Sequence, residues 1–232
     1  MGIGLFGLNP SYNILFNSTK HWRNAMEARY KILPDRMPPI PTEKMTDAQK
    51  KVAADIIAGP RGKVEGPYWP IIRSPGLADG LQKVGEYYRY RCPLDRKLNE
   101  MAALMAARAW TQQFEWDVHI LQALDAGLTT EVANAIAEGR RPAQMSDDEA
   151  VLYDFVTEVM ATKGASDTTY AATAAKFGES GVVDILGIVG YYATLAMIMN
   201  VARTPLLEGR PHPLLPLPVQ LGQIEGSPTR GR

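Results

Sequence analysis

From Asp95 to Ala126 the chain carries neither glycine nor proline, in a sequence that holds 20 Gly and 17 Pro elsewhere. Gly127 closes the stretch as a helix C-cap. Ala102, Ala103, Leu104, Met105, Ala106, Ala107 and Ala109 give part of it a lining suited to close packing. The signals on either side are helical as well. Thr46 with Gln49 and Ser146 with Glu149 are capping boxes. Gly59-Pro60 stops the first of those helices, and Ser74-Pro75 opens a segment to about Tyr90. Thr129 opens a short helix that ends before Gly139. Helices from about Asp167 to Phe177 and from about Gly181 complete the set. No run of alternating β-branched residues occurs, so the sequence predicts an all-α fold of seven or so helices. No repeat with a period of 20–50 residues is present.

Three parts follow from the proline distribution. Residues 1–41 form an N-terminal extension that ends in Pro34, Pro38, Pro39 and Pro41. Residues 42–203 form the helical domain. Residues 204–232 form a Pro-rich arm whose many leucines suit packing on a surface, with a second subunit as the natural candidate. His21 and His212 fall in the arms and read as bystanders.

Composition excludes several function classes. With 46% hydrophobic residues and 25 basic against 25 acidic side chains, the 232-residue chain can bury a core. It has no electrostatic footprint for nucleic acid. Its one cysteine, Cys92, forbids an internal disulfide and any multi-thiolate metal site. Residues 1–19 are uncharged, but Asn9-Pro10-Ser11, Asn13 and Asn17 break the apolar run that a secretory signal needs. The uncharged run Ile185–Ala202 just reaches spanning length, yet its Gly, Tyr, Thr and Asn suit a buried central helix better. A cytoplasmic protein with no membrane partner is the expectation.

Polar residues recur on the Asp95–Ala126 segment: Glu100, Arg108, Gln112, Glu115 and His119. On one continuous helix the last four fall within about 60° of one another. Glu115 and His119 are one turn apart, near enough to pair. Glu100 would stand about 28 Å from His119 along a straight helix. The two can share a site only if the chain breaks and folds back, and Trp110-Thr111 is the weak point.

Glu100, Gln112, Glu115 and His119, followed by Gly127-Leu128-Thr129 and a helix, resemble the carboxymuconolactone decarboxylase family. Gly187-Ile188-Val189-Gly190-Tyr191-Tyr192 is similar to that family's final helix. The same superfamily includes the alkylhydroperoxidase D peroxidases. The resemblance covers approximately Pro67 to Pro205. It implies an AhpD-like helical fold assembling as a homo-oligomer, a trimer or a hexamer. In the peroxidase branch two cysteines stand where Gln112 and Glu115 stand here, so thiol peroxide chemistry is the least favoured function.

The decarboxylase branch implies a lyase without a cofactor. Carbon dioxide leaving a position γ to a conjugated lactone carbonyl gives a dienolate, so the substrate is its own electron sink. His119 is the candidate proton donor, oriented by Glu115 or Glu100. Arg108 is a candidate carboxylate clamp, and Gln112, Trp116 and Tyr192 are candidate substrate contacts. No metal is expected, because one His with two Glu falls short of a di-iron set. The expected partner is a small unsaturated lactone or a related acid. Bland readings stand beside these: His119 as a core histidine satisfied by Glu115, Glu100 as a dipole partner at a helix start, and Arg108 in an ion pair. The competing function is a non-catalytic oligomeric binding protein on the same fold.

Overall fold

In the computed structural model, which describes residues 34–206 and Leu214, eight helices follow a single 3-10 turn at Thr42–Lys44. They are α1 (Asp47–Ala58), α2 (Tyr68–Ile71), α3 (Pro75–Tyr90), α4 (Arg96–Ala109), α5 (Gln113–Asp125), α6 (Thr130–Ala137), α7 (Asp147–Thr162) and α8 (Asp167–Ala202). No strand occurs among the described residues, so the fold class read from the sequence holds.

Both capping boxes form. Thr46 and Ser146 each accept the backbone N–H of the third helical residue, and Gln49 and Glu149 return the bond. Thr129 caps α6 from Val132. Gly127, at φ 94, closes α5 with a bond from Leu128 N to Ala123 O. The short α2 is a helix that no sequence signal announced. The expected interruption between Phe177 and Gly181 is a break at Gly178 (φ 71, ψ 167) inside α8.

Helix α4 is the centre. Every residue from Leu98 to Arg108 is buried, and Ala102, Ala103, Ala106 and Ala107 are fully so. Methyl side chains on several faces let α5, α6, α7 and α8 all approach it. Helix α8 is long and apolar enough to cross a membrane, but 56% of its most apolar window is buried inside this chain. Ile185, Ile188, Tyr192 and Met199 face that core. Val183, Leu186, Met197 and Val201 form an exposed stripe along the opposite side.

The expected single helix across Asp95–Ala126 is two helices. α4 ends in a Schellman motif: Thr111 N bonds Arg108 O at 3.0 Å and Gln112 N bonds Ala107 O at 2.8 Å. Thr111 takes the left-handed position usually given to glycine, at φ 48. For a β-branched residue this conformation costs on the order of 1–3 kcal/mol, so neighbours must hold it. Arg108 Nη2 donates to Thr111 Oγ1 (2.7 Å), and Asn200 Nδ2 on α8 donates to Trp110 O (2.9 Å). Gln112 then caps α5, accepting Glu115 N at 3.0 Å while its Nε2 donates to Asn200 Oδ1 at 3.2 Å.

The sequence sets an extension before the helical domain and a Pro-rich arm after it. Residues 1–33 of the N-terminal extension, including His21, fall outside the described residues. The remainder packs on the end of α8, with Arg36 N donating to Ala202 O at 2.8 Å. Leu214 corrects the expectation of a second subunit at the one described position of the distal arm. It is fully buried on its own chain, its backbone paired at both N and O with the Gln113 amide (2.9 and 2.7 Å). Residues 207–213 and 215–232, His212 included, lie outside the described residues.

Candidate functional site

The reversal at Thr111 lays α5 against α4 and brings Glu100 to His119. The Glu100 carboxylate and His119 Nδ1 are 2.6 Å apart, with each residue about 5% exposed (6% and 4%). This bond occupies Nδ1 and leaves Nε2 as the nitrogen available to a ligand. Glu100 therefore lies in the second turn of α4 as a buried partner, not at the helix start as a dipole partner. Tyr192 from α8 meets the imidazole edge to face at a ring separation of 4.5 Å and fixes its plane.

Glu115 does not make the pair that its spacing suggests. Its carboxyl is 3% exposed, and neither oxygen has a hydrogen-bond partner. Burial alone pushes it well above the usual carboxylate range, which favours the neutral acid. A buried, protonated carboxyl can donate a hydrogen bond and give up a proton, neither of which its ionised form can do.

His119, Glu115, Tyr191 and Tyr192 line one cavity of about 100 Å³. That is small beside the roughly 300–1,000 Å³ of pockets for drug-sized ligands, and it suits a small ring compound. Phe114, Leu195 and Met199 supply the apolar wall. Tyr68 from α2 and Arg61 from the turn after α1 form the remaining side. The Tyr68 and Tyr191 hydroxyls are 3.0 Å apart, and burial pushes both phenols up, so both stay protonated.

Of the residues singled out from the sequence, His119, Glu115 and Tyr192 reach this cavity, and Glu100 reaches it through His119. Three do not. Arg108 shares no helix face with Glu115 and His119, because it ends α4 and they lie on α5; it donates to Ala137 O (3.0 Å) and Thr111 instead. Gln112 is spent on capping α5 and on Asn200. Trp116 is 3% exposed in the hydrophobic core. The substrate contacts expected of these three are thus structural roles. Gln112→Ala, which removes a cap and leaves buried groups unpaired, is expected to lower stability by about 0.5–2 kcal/mol in urea denaturation.

Arg61, Tyr68 and Tyr191 are lining residues that the sequence did not place in the site. Arg61 stands alone in a turn with no periodicity to mark it. Its one local signal is its place between Gly59-Pro60 and Gly62, the latter at φ 70. Cys92 is half-buried outside the cavity, and burial pushes its thiol up. Among the described residues no three His, Cys, Asp or Glu side chains gather as metal ligands.

An all-α fold that seats an acid–imidazole pair at a helix reversal defines a class, and comparison with known proteins specifies it. Residues 75–158, which run from α3 into α7, match the model of the carboxymuconolactone decarboxylase family. The structure is similar to that of a protein of unknown function from Agrobacterium tumefaciens, proposed to be the antioxidant defence protein AhpD. Sequence identity is 21% and the TM-score 0.53, covering 59% of this chain and 94% of that one. The sequence has no match among curated proteins. The match joins part of the helical domain to that family, and the structural likeness shows an AhpD-like fold.

Proposed function

We propose that this protein is a cofactor-independent lyase that decarboxylates, or isomerises, a small acidic unsaturated lactone. The observation that carries this reading is the pairing of two different proton-bearing groups in one small cavity. His119 is oriented by Glu100, and Glu115 is kept neutral by burial.

The chemistry follows from that pairing. The bond to a carboxylate γ to the lactone carbonyl breaks, and carbon dioxide departs without the bonding electron pair. That pair spreads through the ring as a dienolate with charge on the carbonyl oxygen. The neutral Glu115 can donate a hydrogen bond to this developing charge from a buried position, where such bonds count most. His119, oriented by Glu100, delivers a proton from Nε2 to ring carbon and recovers it from water. Tyr192 and the apolar wall orient the ring and limit solvent. The match of residues 75–158 to the carboxymuconolactone decarboxylase family model supports the reading, and the absence of any thiol from the lining weighs against a cysteine peroxidase.

The test is turnover of 4-carboxymuconolactone, followed as released carbon dioxide. Release catalysed by the purified protein is the expected result. A correctly folded protein that releases none would retire this substrate and give equal standing to the binding-protein reading.

A further inference from the structure

Arg61 is the cation of this cavity with nothing to hold. Its Nε and Nη2 are buried and lack hydrogen-bond partners, and no carboxylate lies within ion-pair distance of it among the described residues. The other cationic chains of the wall are engaged. Lys63 pairs with Glu65 at 2.7 Å, and Arg89 donates to Gln122 at 3.1 Å. The guanidinium carbon lies 4.6 Å from the centre of the Tyr68 ring, so the fork is stacked and held in place. Gly85 makes the room for it. A β-carbon at that position would collide with both Arg61 Nη2 and the Tyr191 hydroxyl.

Burying a guanidinium without an acceptor is unfavourable, and an ordered fork with free donors is preorganised for a planar anion. We propose that Arg61, backed by Tyr68 and Tyr191, is a carboxylate subsite that anchors a small unsaturated acid against the Glu115–His119 wall. The carboxylate it takes is one that survives the reaction. A grip on the departing carboxylate would stabilise the ground state and be lost in the transition state, slowing the chemistry. That last point rests on the decarboxylase reading, whereas carboxylate binding does not. The substrate class is then a dicarboxylate, with one charge held at Arg61 and the other directed to the apolar side of the cavity. Arg61 lies outside the stretch that matches the family model.

Two acids and their neutral counterparts test this by calorimetry or NMR titration: muconolactone with its methyl ester, and crotonate with crotonamide. Both acids are expected to bind more tightly than their neutral forms. Arg61→Gln should weaken the acids by roughly ten- to a hundredfold and leave the neutral forms unchanged. Arg61→Lys, which keeps the charge but not the fork, should recover part of the loss. Acid binding unaffected by Arg61→Gln overturns the subsite, as does failure of both acids to bind the native protein. Arg61-dependent binding of crotonate without muconolactone upholds the subsite and retires the lactone substrate. Should Arg61→Gln fail to fold, equal binding of acid and neutral forms by the native protein still overturns it.

Discussion

His119→Ala is expected to lower turnover by about 10²–10⁴-fold, the usual worth of a positioned proton donor. The substitution also leaves the Glu100 carboxylate buried and unpaired, which can destabilise α4 by itself. His119→Gln answers that objection, because its amide keeps a donor near Glu100 while carrying no transferable proton. A comparable loss in both variants, with helical content and oligomeric state unchanged, assigns the proton to His119. Turnover within tenfold of the native protein in His119→Gln would remove the imidazole from the chemistry. Glu100→Gln should lower kcat more than it alters KM, since Glu100 meets the imidazole and not the cavity.

Glu115→Gln is expected to change how stability varies with pH. Below about pH 4.3, the unfolded carboxyl range, folded and unfolded chains both hold this proton. As pH rises, the unfolded chain releases it while the buried Glu115 keeps it. The folded state then binds more protons, and stability falls by up to about 1.4 kcal/mol for each pH unit until the buried carboxyl also ionises. Glutamine fills the same volume and does not titrate, so the difference between variant and native protein should widen steadily with pH. Urea denaturation across that range measures it. Parallel curves would mean that Glu115 is already ionised in the folded protein. The same variant informs the chemistry, because an amide can still donate to an oxyanion. Glu115→Gln should therefore keep more activity than Glu115→Ala.

The fold was legible because its boundaries are written locally. Thr46, Ser146, Thr129 and Gly127 act within a few residues of themselves, and each does in the structure what its neighbourhood dictates. The reversal between α4 and α5 was legible only as a condition, namely that Glu100 and His119 could meet if the chain broke near Trp110-Thr111. Nothing local demands the break, since Thr111 is a poor residue for a left-handed position. Asn200 and Gln112, far apart in sequence, enforce it. That is why Arg108 and Gln112 were misplaced: a helical wheel drawn through the break put residues of two helices on one face. Trp116 was misplaced because an aromatic beside a motif reads equally as pocket and as core. Arg61 reaches the cavity through a turn, and turns carry no period from which a direction could be read.

The cavity is assembled from two sources. Its proton-bearing wall is fixed by α5 and α8, both packed on the buried helix α4. Its charged wall hangs from a short exposed turn, seated by one aromatic ring and the gap over one glycine. Chemistry and selectivity are thereby separable by protein engineering. Exchanging residues 59–66 for a turn of different charge or length would present a new functional group to an unaltered acid–imidazole pair, so the scaffold can be retargeted without rebuilding its interior.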